Sequence, residues 1–128
     1  MKPFAATAIV VSLSTMAAVA LGNVAREYPL EKKVHSADVV IIGRAVSTRS
    51  EASGVLTLEY ARVHVDKVLK GTPPDEIEVL TKGSAAELNT DCCAPGGVYL
   101  FFLRKTKNDK YESVNGKFGI YAVSTPPK

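Results

Sequence analysis

From Val39 onward the chain reads as a series of strands separated by breaks. Val39-Val40-Ile41-Ile42 is apolar on both phases, which predicts a strand covered on both faces near its start. Gly43 permits a bend or a close backbone approach, and Arg44 to Ser47 continues the strand to a turn at Ser50 to Gly54. In Val55 to Leu69, Leu56, Leu58 and Tyr60 are apolar on one phase, and Ala61, Val63 and Val65 on the other. A phase flip between Tyr60 and Ala61 predicts a β-bulge, because one extra residue reverses the facing of every later side chain. Lys70-Gly71-Thr72-Pro73-Pro74-Asp75 is a break, and Glu76 to Lys82 alternates again. Gly83 to Gly97 reads as a long irregular loop. Val98 to Leu103 is apolar on both phases and predicts a central strand. Tyr111 to Val114 and Gly119 to Val123 flank Asn115-Gly116, the pattern of a tight hairpin. Ahead of the strands, Pro29 suits the first turn of a helix. Leu30, Val34 and Ala37 at i, i+4 and i+7 predict one short helix with a single apolar stripe. The expected fold is mainly β: a small antiparallel barrel or sandwich of about six strands with one short N-terminal helix.

The amino terminus has a different pattern. Lys2 gives a positive start, Phe4 to Leu21 is uncharged and mostly apolar, and Ala18-Val19-Ala20 offers small residues where a signal peptidase needs them. Residues 1–20 are therefore expected to be a signal peptide cleaved after about Ala20, with residues 21–128 as one domain, secreted or periplasmic. The competing reading is an uncleaved membrane anchor, since about 18 apolar residues nearly span a bilayer. Cleavage would remove Lys2 alone among the charged residues.

Composition narrows the function classes. The chain has 128 residues, 46% hydrophobic and 23% charged, with a formal net charge of +3. That argues against disorder, and so modest a basic excess is not a nucleic-acid signature. No nucleophile–base elbow, phosphate-binding glycine loop or paired-carboxylate motif stands out, and the expectation is a non-catalytic module without a cofactor.

The sequence offers three groups of candidate residues. Cys92-Cys93 are the chain's two cysteines, and an exported chain meets an oxidising compartment. A vicinal disulfide, unbonded thiols, and bonds to a twin or partner, including a dimer through Cys92 or Cys93, all stand as readings. The same loop carries Glu87, Asn89, Thr90 and Asp91, a polar set suited to partner contact by hydrogen bonds. The competing view of this loop is a plug over one barrel end. Arg62 and His64 share one phase of a strand with Tyr60 and Asp66, either as a polar binding face or as a solvated face with cross-strand ion pairs. The imidazoles, His35 and His64, lack metal-ligand spacing, so no metal site is expected. Arg104, Lys105, Lys107 and Lys110 cluster at one turn, either a contact for anionic lipid or only a soluble tip.

Three segments resemble one family. Ala37-Asp38-Val39-Val40-Ile41-Ile42-Gly43-Arg44-Ala45-Val46 resembles the opening strand of bacterial secreted domains similar to the tissue inhibitors of metalloproteinases. Val63-His64-Val65-Asp66-Lys67-Val68-Leu69-Lys70-Gly71 resembles the end of their second strand, and Gly97-Val98-Tyr99-Leu100-Phe101-Phe102-Leu103 a later one. The resemblance implies a netrin-module, OB-like barrel: a closed five-stranded sheet with a helix packed against it. It also implies that one Cys of the pair corresponds to a family cysteine that bridges back to the N-terminal region. Those inhibitors chelate zinc through an N-terminal Cys-x-Cys, whereas Leu21-Gly22-Asn23 stands at the expected mature start here. Inhibition by that route is not expected. The favoured function is an exported interaction module whose partner is another protein or an envelope component. Nucleic acid is not expected to bind, and the membrane is met only through the signal peptide. The alternatives are a redox- or metal-linked envelope protein centred on Cys92-Cys93, and a structural envelope component held by an uncleaved N-terminal segment.

Overall fold

The computed structural model describes residues 26–83 and 88–124. The expected signal peptide, residues 1–20, and Glu87 lie outside the described residues. One helix, α1 (Leu30–Ser36), precedes six strands: β1 (Val39–Ser53), β2 (Leu56–Lys70), β3 (Glu76–Lys82), β4 (Val98–Lys105), β5 (Tyr111–Ser113) and β6 (Ile120–Ser124). The sheet order is β1-β2-β3-β5-β4-β6, and β1 also pairs with β4, so five strands close a ring. Of the sandwich and barrel that the strand pattern allowed, this is a small barrel-like fold.

The sheet is mixed rather than wholly antiparallel, because β3 and β5 run parallel. Strand β4 lies antiparallel to β1. The β4–β5 hairpin then returns the chain in the direction of β3. The predicted Asn115-Gly116 hairpin does not form. β5 and β6 both pair with β4, separated by a short 3-10 turn over Gly116–Gly119. Asn115 is engaged elsewhere: its Oδ1 accepts the Tyr28 N–H at 2.7 Å and its Nδ2 donates to the Arg26 carbonyl at 3.0 Å.

Strands β1 and β2 are each 15 residues long. The turn is shorter than predicted, because pairing persists to Ser53↔Leu56 and leaves Gly54 and Val55 alone at the tip. Gly54 has φ +64, a left-handed conformation that glycine adopts without a Cβ penalty. The outer half of the hairpin projects from the barrel as an exposed arm. A register shift against β3 falls between Glu59 and Tyr60, one residue before the predicted phase flip, and three more interrupt the β1–β2 ladder. Each adds local twist, which long strands need in order to curl into a small ring.

The core holds Ile41, Val63, Val79, Phe101 and Leu103, all at 0% exposure. Gly43 matters by its absence of side chain. A Cβ there would meet Val63 Cγ1 at 2.5 Å and the His64 carbonyl at 3.0 Å.

Helix α1 departs from expectation. Leu30 and Val34 are 64% and 40% exposed, while Lys33 is 3% exposed. The predicted apolar stripe is therefore turned aside, and Ala37, its third member, is buried just beyond the helix. Lys33 tolerates burial because its ammonium donates to Glu27 Oε2 at 2.8 Å and to the Tyr121 hydroxyl. Tyr121 in turn donates to Glu27 Oε2 at 2.7 Å. Burial pulls the Lys33 pKa down, but the hydrogen bonds to Glu27 and Tyr121 outweigh it and leave the pKa raised. The same bond to Lys33, followed by that from Tyr121, lowers the pKa of Glu27.

Candidate functional site

A groove of about 540 Å³ crosses the outer surface between the β1–β2 arm and the β4–β5 turn. Its walls include Arg49 from the arm, Arg62 from β2, Glu76 and Glu78 from β3, and Lys105 and Asp109 from the turn. Alternation along β2 and β3 explains the placement. The register pairs Arg62 with Glu78 and His64 with Glu76, so all four stand on the outward face.

Glu78 is the centre of the charge network. Arg49 grips it with two nitrogens, Nε at 2.5 Å and Nη2 at 3.0 Å, and Lys110 Nζ reaches it at 2.8 Å. A forked guanidinium–carboxylate pair fixes orientation as well as charge. The hydrogen bond from Arg49 is the main reason that the Glu78 carboxyl is held down to about 2. Arg49 and Lys110 are both pushed above their ordinary values, chiefly by Glu78. The Arg49 guanidinium lies 4.8 Å from the Tyr60 ring centroid, adding a cation–π contact. Arg62 pairs with Glu76 at 3.5 Å and Lys105 with Asp109 at 3.3 Å. The groove is thus lined by charges of both signs, already paired and held in fixed directions.

The candidate residues separate into two places. Arg62 lines the groove. His64 is exposed further along β2, 3.9 Å from Asp66, which also lies 3.9 Å from Arg44. The loop residues lie apart, at a barrel end. Thr90 is 8% exposed, and its N–H donates to the Thr81 carbonyl at 2.9 Å. Asn89 is exposed and accepts the Gly83 N–H at 3.1 Å. Asp91 is exposed.

Cys92 and Cys93 are bonded to each other, the first of the three readings, and the peptide between them is cis. Cys93 is 7% exposed and belongs to the core, while Cys92 packs against it from a half-buried position. The loop is stitched down on both sides. The Tyr99 hydroxyl accepts the Ala94 N–H at 2.9 Å, and Gly96 and Gly97 exchange hydrogen bonds with Ala45 at 2.8 and 2.9 Å. Its described part is therefore tied to β1 and β4 and packed against the core through Cys93. Among the described residues, no group of three His, Cys, Asp or Glu is placed to hold a metal ion. None of the described helices is long and apolar enough to cross a membrane.

Sequence reasoning missed Arg49 and Glu78 as site residues, and it placed Lys110 only in the basic turn, not beside Glu78. The alternation Glu76-Ile77-Glu78 was a visible signal. Its opposition to Arg62 and His64 needed the β2–β3 register. No protein-family model and no curated protein matches the chain.

Proposed function

We propose that the chain is an exported, non-catalytic interaction module, and that the groove around Glu78 is where it takes its partner, a protein or envelope component of mixed surface charge. The observation that carries the reading is the set of paired, oriented charges between arm and turn. Arg49, Arg62 and Lys105 alternate there with Glu76, Glu78 and Asp109. Such a wall favours a partner carrying both signs in matching positions, because complementary charge gives register and specificity more than raw affinity. A rigid barrel wall supports the groove, and the arm and turn supply its rims. The Cys92–Cys93 loop serves this reading as a cap that closes the barrel. The resemblance to metalloproteinase-inhibitor-like domains supports the scaffold and leaves the ligand open.

Two measurements test it. N-terminal sequencing of the exported protein should begin at or near Leu21; a start at Met1 would favour the anchored alternative. The immobilised protein should retain a defined species from its own envelope fraction. Arg62→Glu combined with Glu78→Lys should release that species, and Asn89→Ala combined with Asp91→Ala should not. The opposite result would move the site to the cap.

A further inference from the structure

We infer that the face beside α1 is a docking surface for the anionic phospholipid of a membrane, independent of the charged groove. Helix α1 has seven residues and covers the outer side of β1 and β4 only in part. It closes over Val40 and Phe102, which are 4% and 3% exposed. Beside them remains an open trough of about 280 Å³, walled by Leu30 and Val34 on the helix, Leu69 on β2 and Leu100 on β4. Its rims protrude: Leu30 is 64% exposed and Leu69 52%. Leu30, Val34 and Leu69 are gathered around one concavity rather than scattered singly over the surface.

The charges around the trough select the occupant. The register pairs Val40 with Lys70 and Ile42 with Lys67, which puts both lysines on the side of the sheet that faces α1. Lys70 lines the trough and donates to the Val34 carbonyl at 2.8 Å, so its ammonium is held at the rim. Lys32 adds a further cation on α1. The nearby carboxylates are largely committed: Glu27 to Lys33, and Asp66 between Arg44 and His64. Glu31 is the remaining acidic group of α1. Protruding leucines flanked by lysines match the boundary between acyl chains and anionic headgroups. A second copy fits poorly, since a two-fold contact through this face would oppose its own lysines. The more conspicuous basic turn is not the equivalent surface, because Arg104, Lys105 and Lys110 are paired with Glu112, Asp109 and Glu78.

The test is co-sedimentation of the exported protein with vesicles of phosphatidylglycerol mixed with phosphatidylcholine, and with phosphatidylcholine alone. Binding is expected to the anionic vesicles and to weaken as salt rises. Leu30→Ser with Leu69→Ser should weaken partition about tenfold. Lys67→Gln with Lys70→Gln should also weaken it about tenfold and flatten the salt dependence. Lys105→Gln with Lys107→Gln should leave it unchanged, and melting curves would show that all variants fold. Equal binding by wild type and the trough variants, equal binding to both vesicle types, or no binding at all would overturn the inference. So would trough variants that alter self-association in sedimentation equilibrium without altering vesicle binding.

Discussion

The groove around Glu78 and the trough beside α1 are both concave and both lie on the outside of one small barrel, yet they are finished in opposite ways. In the groove, the charges that form its walls meet counter-charges across strands: Arg49 and Lys110 on Glu78, Arg62 on Glu76. In the trough, apolar side chains from α1, β2 and β4 converge and stop short of covering one another. The cause lies in the elements available. Two long paired strands and a third beside them put alternate residues in register, so opposite charges can meet. A seven-residue helix cannot close the apolar outer face of two strands. A polar surface completed within the fold suits recognition by shape and charge pattern. An apolar surface left incomplete suits contact with something that supplies the missing cover.

Both faces depend on the same interior, so the largest effect should come from there. Phe101 has 0% exposure, and its strand pairs with β1 on one side and with β6 on the other. Phe101→Ala should cost about 3–5 kcal/mol in denaturant unfolding, and groove and trough functions should fail together. A loss below about 1 kcal/mol would mean that β4 is not the shared support.

Gly43→Val probes the β1–β2 contact that puts the groove and trough strands in register. The new Cβ would press on Val63 Cγ1 and the His64 carbonyl, at 2.5 and 3.0 Å before relaxation. A destabilisation of about 1–3 kcal/mol is expected. An unchanged melting temperature would show that this approach is looser than described.

The cap is a third region against which the two faces can be judged. Cys93 lies in the core and Cys92 at its margin. Cys93→Ser places a hydroxyl in apolar surroundings and should cost about 1–3 kcal/mol. Both single substitutions remove the disulfide, so the difference between them reads the packing alone, and Cys92→Ser should cost less. Equal costs would mean that the bond, not the burial of Cys93, holds the cap.

The smallest effect is electrostatic and confined to the groove. Folding holds the Glu78 carboxyl at about 2, against an ordinary 4.5. A depressed carboxyl stabilises the fold at pH above its unfolded value, and this stabilisation is lost as pH falls from about 4.5 towards 2. Glu78→Gln should therefore be less stable than wild type at pH 6, and the gap should close on acidification. A gap that stayed constant with pH would mean that the ion pairs contribute little.

Much of the barrel was legible because its signals are local. The doubly apolar runs Val39–Ile42 and Val98–Leu103 identified strands covered on both faces, as the burial of Val40 and Ile41 and of Phe101 and Phe102 shows, and Gly43 allowed the close approach that is found. The Asn115-Gly116 dipeptide misled because its turn propensity competed with a distant demand, the anchoring of Arg26 and Tyr28 by the Asn115 amide. The helix stripe misled for a similar reason. Lys33 reads as solvent-facing until Glu27 and Tyr121 are placed beside it, and Tyr121 is 88 residues away in sequence. Arg62 was found from its strand phase and Lys110 from its basic turn, whereas Arg49, Glu78 and the meeting of Lys110 with Glu78 needed the register of three segments. The cysteine pair was conspicuous in sequence, but the packing of its loop against the core became visible only in the burial of Thr90 and Cys93.

Site-specific photo-crosslinking in the protein's own compartment tests the central claim most directly. A photoreactive residue is placed in turn at position 62 in the groove, 91 on the cap and 117 on the short 3-10 turn. The account predicts a defined adduct from position 62, lost when Glu78→Lys is added, and none of comparable yield from positions 91 or 117. A defined adduct from position 91 that is indifferent to Glu78→Lys, with none from position 62, would contradict it.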